Sequence, residues 1–233
     1  MKKRTAKFGS YDTASHGWTL TGWSLSDPEQ KTKYTEKPGG DGSWDLSTAL
    51  TDGVPKYKDR DLTVTLECSE GNRAHRLRLV SELVNLLDGF TWNVVLPDHP
   101  EHYLVGRLHV NVLQNGQAYA EVMVTGVVEP WFYALRETKL EYTTTGLADF
   151  YRIEIRNRGR RYAVPLFTYR SHDNAGVVTV YIDDKNTNRI GLTSTNYETV
   201  QATGALLAPG DHLLVFNGAP GEFTVTWREA VLR

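Results

Sequence analysis

Two histidines three residues apart, His99-Pro-Glu-His102 preceded by Asp98, are the residues of this sequence whose types and spacing come nearest to a metal site. Two imidazoles on a short loop can reach one ion, but a catalytic zinc needs a third protein ligand and an open position. Nothing beside the motif supplies that ligand in a recognisable spacing, so the segment reads as a polar loop between strands. The run Asp184-Lys-Asn-Thr-Asn188 copies the oxygen spacing that opens a calcium loop. Arg189 stands where the loop requires glycine and Thr195 where it requires an acidic ligand, so a turn rich in Asp and Asn is the expected outcome. Cys68 is the single cysteine. It ends an alternating apolar segment with no histidine beside it, which suits a small buried hydrophobe rather than a nucleophile. No Gly-x-Ser-x-Gly elbow and no phosphate-cradling Gly-x-x-x-x-Gly-Lys loop occurs, and Pro38-Gly-Gly-Asp-Gly-Ser43 does not join a strand to a helix. The residues thus name no catalytic group, no metal ligand set and no cofactor.

Charge and composition narrow the classes further. The 233 residues carry 26 Lys and Arg against 28 Asp and Glu, a net charge of −2, which gives no basic face for nucleic acid. The balance is −3 over residues 1–137 and +1 over 138–233. Arg152, Arg156, Arg158, Arg160 and Arg161 crowd one short stretch and read as a solvated face around a turn. No segment approaches the ~18 apolar residues of a membrane helix, so no membrane insertion is expected. The basic start leads into Phe8-Gly-Ser-Tyr-Asp without an apolar core, unlike a secretory signal. One cysteine excludes an intramolecular disulfide framework.

The elements that would position these residues are mostly strands. Twelve Tyr, seven Phe and six Trp, with Val and Thr in short runs between Gly, Pro, Asn and Asp, are the composition of sheets. Strands are expected at Trp18–Leu25, Leu62–Cys68 (alternating with period two), Thr91–Leu96, Tyr103–Val112 and Ala118–Val128. Gln114-Asn-Gly-Gln117 predicts a tight hairpin turn, because Asn-Gly tolerates positive φ. From Arg73 to Leu87 the period becomes helical, with Leu77, Val80, Leu83, Val84 and Leu87 on one stripe, Asn72 as N-cap and Gly89 as the C′ residue. Asp27 to Ser43 is polar and turn-rich, a loop or a long hairpin tip. Residues 138–149 read as a boundary, after which short alternating strands (Tyr151–Asn157, Val164–Tyr169, Val177–Ile182, Arg189–Leu192, Leu213–Phe216, Phe223–Trp227) predict a β-sandwich. The chain is therefore mainly β: an α+β N-terminal domain over residues 1–137 and a sandwich over 138–233.

The order of these features resembles the distal tail protein family of long-tailed, non-contractile bacteriophages, along nearly the whole chain. The most specific stretch is Pro38-Gly-Gly-Asp-Gly-Ser-Trp-Asp-Leu-Ser-Thr-Ala-Leu-Thr-Asp-Gly-Val-Pro-Lys-Tyr-Lys-Asp-Arg60, with Asp45, Gly53, Tyr57 and Arg60 ahead of a strand. Trp23-Ser-Leu-Ser-Asp-Pro-Glu29, the helix at 73–87, Tyr103-Leu-Val-Gly-Arg107, Leu207-Ala-Pro-Gly-Asp-His-Leu213 and Phe223-Thr-Val-Thr-Trp-Arg-Glu229 fit in the same order.

The resemblance implies a virion structural protein of the tail tip or baseplate, not an enzyme and without a cofactor. It would form a homo-hexameric ring between the tail tube protein and the tail-tip hub protein, assembled in the host cytoplasm. Its N-terminal domain would be sandwich-like, with a belt over about residues 27–60 reaching the neighbouring subunit. Its galectin-like C-terminal sandwich would face outward and can carry receptor-binding proteins. Carried onto this chain, Gly39, Gly40 and Gly42 would set the bend of the belt, Asp45 would sit on it, and Tyr57 and Arg60 would anchor its return. Two other classes stay open: a carbohydrate-binding module acting in host attachment through the C-terminal sandwich, and a glycan hydrolase whose carboxylate pair is distant in sequence.

Overall fold

A computed structural model describes residues 5–51, 53–145, 151–183, 189–204 and 206–233. The calcium-like run at 184–188 lies outside the described residues. The chain divides into two compact units, one running to Phe132 and taking back Leu232–Arg233, the other spanning Tyr133–Val231.

The first unit contains β1 (Lys7–Phe8), β2 (Tyr11–Asp12), β3 (Thr19–Leu25), β4 (Tyr34–Glu36), β5 (Ser43–Asp45), β6 (Arg60–Cys68), α1 (Arg73–Leu87), β7 (Thr91–Val95), β8 (His102–Asn115) and β9 (Ala120–Val128). Seven of its strands form one antiparallel sheet in the order β2-β1-β7-β8-β9-β6-β3. The period-two pattern explains the sheet's two faces. Leu62, Val64, Leu66 and Cys68 of β6 and Val122 and Val124 of β9 are buried on one side, while Thr63, Thr65 and Thr125 alternate to the other. Cys68 is fully buried, as its alternating context requires.

Helix α1 lies on β8 and β9. Its start is fixed by Asn72, whose side chain accepts from the His75 N–H at 2.9 Å. Gly89 follows its end at φ +81°, the left-handed conformation of a C′ residue. The buried stripe is Arg76, Leu79, Val80, Leu83 and Leu87. Leu77, expected on that stripe, is 41% exposed, and Val84 is half-buried. The stripe turns because the buried Arg76 uses it: its guanidinium donates to the carbonyls of Gly71 and Gln117, holding the helix start and the β8–β9 connection together. The β8–β9 hairpin forms where Asn115-Gly116 predicts it, but not as a tight two-residue turn. The link runs from Gly116 to Tyr119, closed by the Gly116 N–H to the Tyr119 carbonyl at 3.0 Å, and neither Asn115 nor Gly116 has positive φ. A register shift between Val112 and Gln114 absorbs the extra residues.

After β10 (Phe132–Ala134), the second unit holds β11 (Thr138–Thr144), β12 (Tyr151–Asn157), β13 (Leu166–Ser171), β14 (Ala175–Ile182), β15 (Arg189–Thr195), β16 (Thr199–Thr203), β17 (Gly210–Gly218), β18 (Gly221–Trp227) and β19 (Ala230–Val231). Two four-stranded antiparallel sheets, β11-β18-β13-β16 and β12-β17-β14-β15, enclose one core. Phe167, Tyr169, Phe223, Val225 and Trp227 come from one sheet, and Val178, Val180, Ile182, Leu214 and Phe216 from the other. This is the sandwich that the alternating runs predict. Residues 138–144, expected as a boundary segment, are instead an edge strand paired with β18 over seven residues. The reason is that β11 buries little beyond its edge: only Thr144 is fully buried, so its sequence carries no clear apolar alternation.

Candidate functional site

Between β3 and β6 the chain leaves the first unit's sheet and returns 34 residues later. Near the far end β4 pairs with β5, matching Tyr34 to Asp45, Thr35 to Trp44 and Glu36 to Ser43. The turn beyond closes with the Lys37 N–H donating to the Gly42 carbonyl and the Gly40 N–H to the Lys37 carbonyl, both at 3.2 Å. Gly39 and Gly42 sit at φ +70° and +79°, so a side chain at either would be strained. Every residue from 29 to 46 is exposed.

An isolated two-stranded hairpin is at best marginally stable in water, and this one also displays apolar side chains. Tyr34 is 63% exposed, Trp44 50% and Leu46 39%. The pairing register sorts them. Leu46 donates its N–H to the Lys33 carbonyl, so Trp44 and Leu46 share one face with Lys33 and Thr35. Tyr34 and Asp45 share the other. The Asp45 carboxylate accepts from the Ser47 N–H at 2.9 Å, and hydrogen bonds from Ser47 hold it below the usual carboxylate range. These exposed apolar residues were missed as site residues. Trp44 and Leu46 inside an otherwise polar stretch were the available signal, since polar hairpins do not need them.

The base of the hairpin is firmly made. Lys31 N–H donates to the Lys56 carbonyl and Lys58 N–H to the Glu29 carbonyl, both at 2.8 Å, around a bridge between Gln30 and Tyr57. Glu29 and Lys58 form an ion pair, and the Tyr57 ring meets Trp131 edge-on at 5.6 Å. Arg60 is 3% exposed. Its Nε donates to the Ser26 carbonyl and its Nη1 to the Arg233 carbonyl at 3.0 Å, and its guanidinium lies over Phe132. Of the six residues named from the sequence, Gly39, Gly40, Gly42 and Asp45 therefore sit on the exposed hairpin. Tyr57 and Arg60 sit at its base, with their side chains engaged inside the same unit.

The other chemistry-bearing residues have different surroundings. The His99 ring packs edge-on against Phe132 at 4.6 Å with its Nδ1 3.4 Å from Arg233 Nη1, a cationic neighbour that opposes a metal ion. No cluster of three metal-ligating side chains occurs among the described residues. In the second unit, the five arginines from 152 to 161 are all exposed; Arg156 pairs with Asp211 at 3.5 Å, and Arg161 lies over the Tyr133 ring. A cleft of about 510 Å³ is lined by Glu154, Arg156, Asp183, Asp211 and His212. There His212 Nδ1 meets Asp183 Oδ2 at 2.8 Å and Nε2 meets the Ala208 carbonyl at 2.7 Å. Both ring nitrogens of His212 are thus engaged within the second unit. The sandwich aromatics Phe167, Tyr169, Phe216, Phe223 and Trp227 are buried in its core. Tyr142 on β11 and Tyr197 in the turn between β15 and β16 are exposed and far apart in sequence.

No protein-family model and no curated protein matches the sequence. Among solved structures, the chain superimposes on the Dit protein of phage SPP1 with a TM-score of 0.68 at 14% identity, covering 99% of this chain and 100% of that one. That protein is described as a paradigm of hub adsorption apparatus in phages infecting Gram-positive bacteria. The two chains share a fold over their whole length. An exo-β-1,3-galactanase from Phanerochaete chrysosporium aligns at a TM-score of 0.27 and 7% identity over 72% of this chain and 54% of that one, a level that carries no argument.

Proposed function

We propose that this chain is a distal tail protein: a structural component of a phage tail tip that closes into a hexameric ring joining the tail tube to the hub and the adsorption apparatus. The observation that carries the reading is the agreement of fold with the SPP1 Dit protein over 99% of this chain and all of that one. The exposed hairpin between β3 and β6 supports it independently. A hairpin without a core of its own, showing Trp44 and Leu46 on one face, is accounted for by a neighbouring copy that covers that face. A contact of this kind is head-to-tail, and repeated around an axis it closes into a ring. In this reading Gly39, Gly40 and Gly42 shape the tip, Asp45 and Ser47 stiffen the outgoing arm, and Tyr57 and Arg60 hold the base. In this reading the first unit builds the ring, and the second, Tyr133–Val231, faces outward and presents partner-binding surface. The fold reading also favours a non-enzymatic role in the virion.

The test is the particle mass of the purified chain at high concentration, read with negative-stain images. Rings of six subunits are expected from the intact chain, and folded monomers from a chain lacking residues 39–42. Normal rings from the deleted chain would sink the hairpin's role. The competing reading, glycan attachment through the sandwich, predicts saturable glycan binding, and burial of the core aromatics weighs against a stacking platform there.

A further inference from the structure

Arg60 clasps three parts of the first unit at the base of the hairpin. Nε holds the Ser26 carbonyl on the ingoing arm, Nη1 holds the Arg233 carbonyl, and the guanidinium covers Phe132 at 5.7 Å from the ring centroid. Ser26 also donates its N–H to the Asp61 carbonyl and accepts the Asp61 N–H on its hydroxyl, so this point joins the ties at residues 29–31 and 56–58 in setting where the hairpin leaves and rejoins the sheet. The loop 96–102 completes the clasp. His99 meets Phe132 edge-on, and its Nδ1 faces Arg233 Nη1. A guanidinium only donates, so this contact needs the lone pair of His99 Nδ1. His102 donates its N–H to the His99 carbonyl at 3.1 Å, and its Nδ1 is buried with no hydrogen-bond partner. A proton on the buried His102 Nδ1 therefore has no acceptor in the chain, and one on His99 Nδ1 faces the Arg233 guanidinium and adds positive charge beside Arg60.

We infer that His99 and His102 form a proton-sensitive latch on the base of the hairpin: protonating them displaces Arg233, opens its contact with Arg60 and frees the hairpin arms. The inference rests on the hairpin as the assembling element and adds its regulation. Burial and the neighbouring cations act on the pair in one direction, against weaker opposition from two acidic residues. Burial holds the His99 imidazolium below the ordinary histidine range, with Arg233 and Arg60 adding to the effect and Asp98 opposing it. Burial does the same for His102, followed by Arg233 and His99 and opposed by Glu101. Arg60 itself is pushed down by burial and supported by Asp27. Because the folded histidines favour the neutral form, the closed clasp is stable above about pH 6.5, the ordinary histidine value, and weakens as the pH falls below it.

Hydrogen exchange of the full chain, dilute and at pH 7.5 and 5.0 with intrinsic rates corrected, tests the latch. Protection of the Ser26, Lys58 and Asp61 amides should fall about tenfold at the lower pH, the scale of one lost hydrogen bond from a charged group, while Val64 and Val124 in the sheet centre stay protected. The pair of substitutions His99→Gln and His102→Gln should remove the pH dependence. Equal protection of the wild type at both pH values, or the same loss in the substituted chain, overturns the latch. Should the substituted chain not fold, the ring-proton titration of the two histidines in the wild type decides: values at or above the ordinary range overturn it, and depressed values support it. The exchange is read on dilute chain, whereas the ring is read from mass at pH 7.5, so failure of one leaves the other standing.

Discussion

Replacing Trp44 by Ala separates assembly from folding. The side chain is 50% exposed and belongs to a hairpin whose residues 29–46 are all exposed. Its removal should change the stability of the monomer by no more than about 0.5 kcal/mol, as for other exposed positions. In the assembled state the exposed half is the part a neighbour would cover. A fully buried Trp removes up to ~250 Å² from water, so half of that is about 125 Å². At ~25 cal/mol per Å² this gives about 3 kcal/mol per contact, or roughly a hundredfold in the association constant. A large aromatic at the centre of an interface commonly loses 2 kcal/mol or more on truncation, which agrees. Because a ring repeats the contact at every junction, the concentration needed for closure should rise steeply. Sedimentation velocity over a dilution series reads this shift, and thermal unfolding of the monomer reads the control. Rings from Trp44→Ala at wild-type concentrations would refute the assignment of the Trp44–Leu46 face as the docking face. So would a large drop in the unfolding temperature, since that would place Trp44 in a core of its own subunit.

Two further outcomes follow from packing and titration. Phe216→Ala empties the centre of the second unit, where the fully buried ring stacks on Phe223 at 4.9 Å and on Tyr151 at 5.3 Å; a loss of about 3–5 kcal/mol is expected in denaturant unfolding, confined to the transition of that unit. The Tyr11 hydroxyl is raised to about 12, first by its burial and against a weaker opposing contribution from Trp18. Its neutral form is thus favoured by folding, so its stabilisation is complete below pH 10 and is lost between about pH 10 and 12. Burial raises Tyr169 as well, so ultraviolet titration should find Tyr11 among the tyrosines that ionise late, and only together with loss of the fold.

The legible part of this protein was the part governed by local period. Leu62–Cys68 alternates because one face of β6 is buried with the sheet's core and the other is not, and that relation is visible in seven residues. Asn72 and Gly89 bound α1 for reasons contained in the residues themselves, a side-chain acceptor and a tolerated positive φ. The sandwich strands show the same alternation because both sheets bury one face in a shared core. Where an element's burial is slight, the signal fades: the sequence of β11 reads as a boundary, and β16, with no residue fully buried, gives no strand signal.

What tertiary structure decided is which side chains remain without a partner and which are already spent. Arg60 and Trp44 both stand in the stretch that names the resemblance. The fold buries Arg60 against Ser26, Phe132 and Arg233, and leaves Trp44 half in water. Arg76 shows the same logic in the helix: the nearby Gly71 carbonyl and the distant Gln117 carbonyl hold a charged residue in the apolar stripe, and Leu77 lies outward. His99 and His102 look like metal ligands when only their spacing is considered, and become the neighbours of an arginine once the loop is folded. Residue order determines periods, caps and turns, because those depend on neighbours a few positions apart. The environment of a charged or aromatic side chain depends on contacts as distant as the 173 residues between Arg60 and Arg233, and those exist only after the sheet has brought them together.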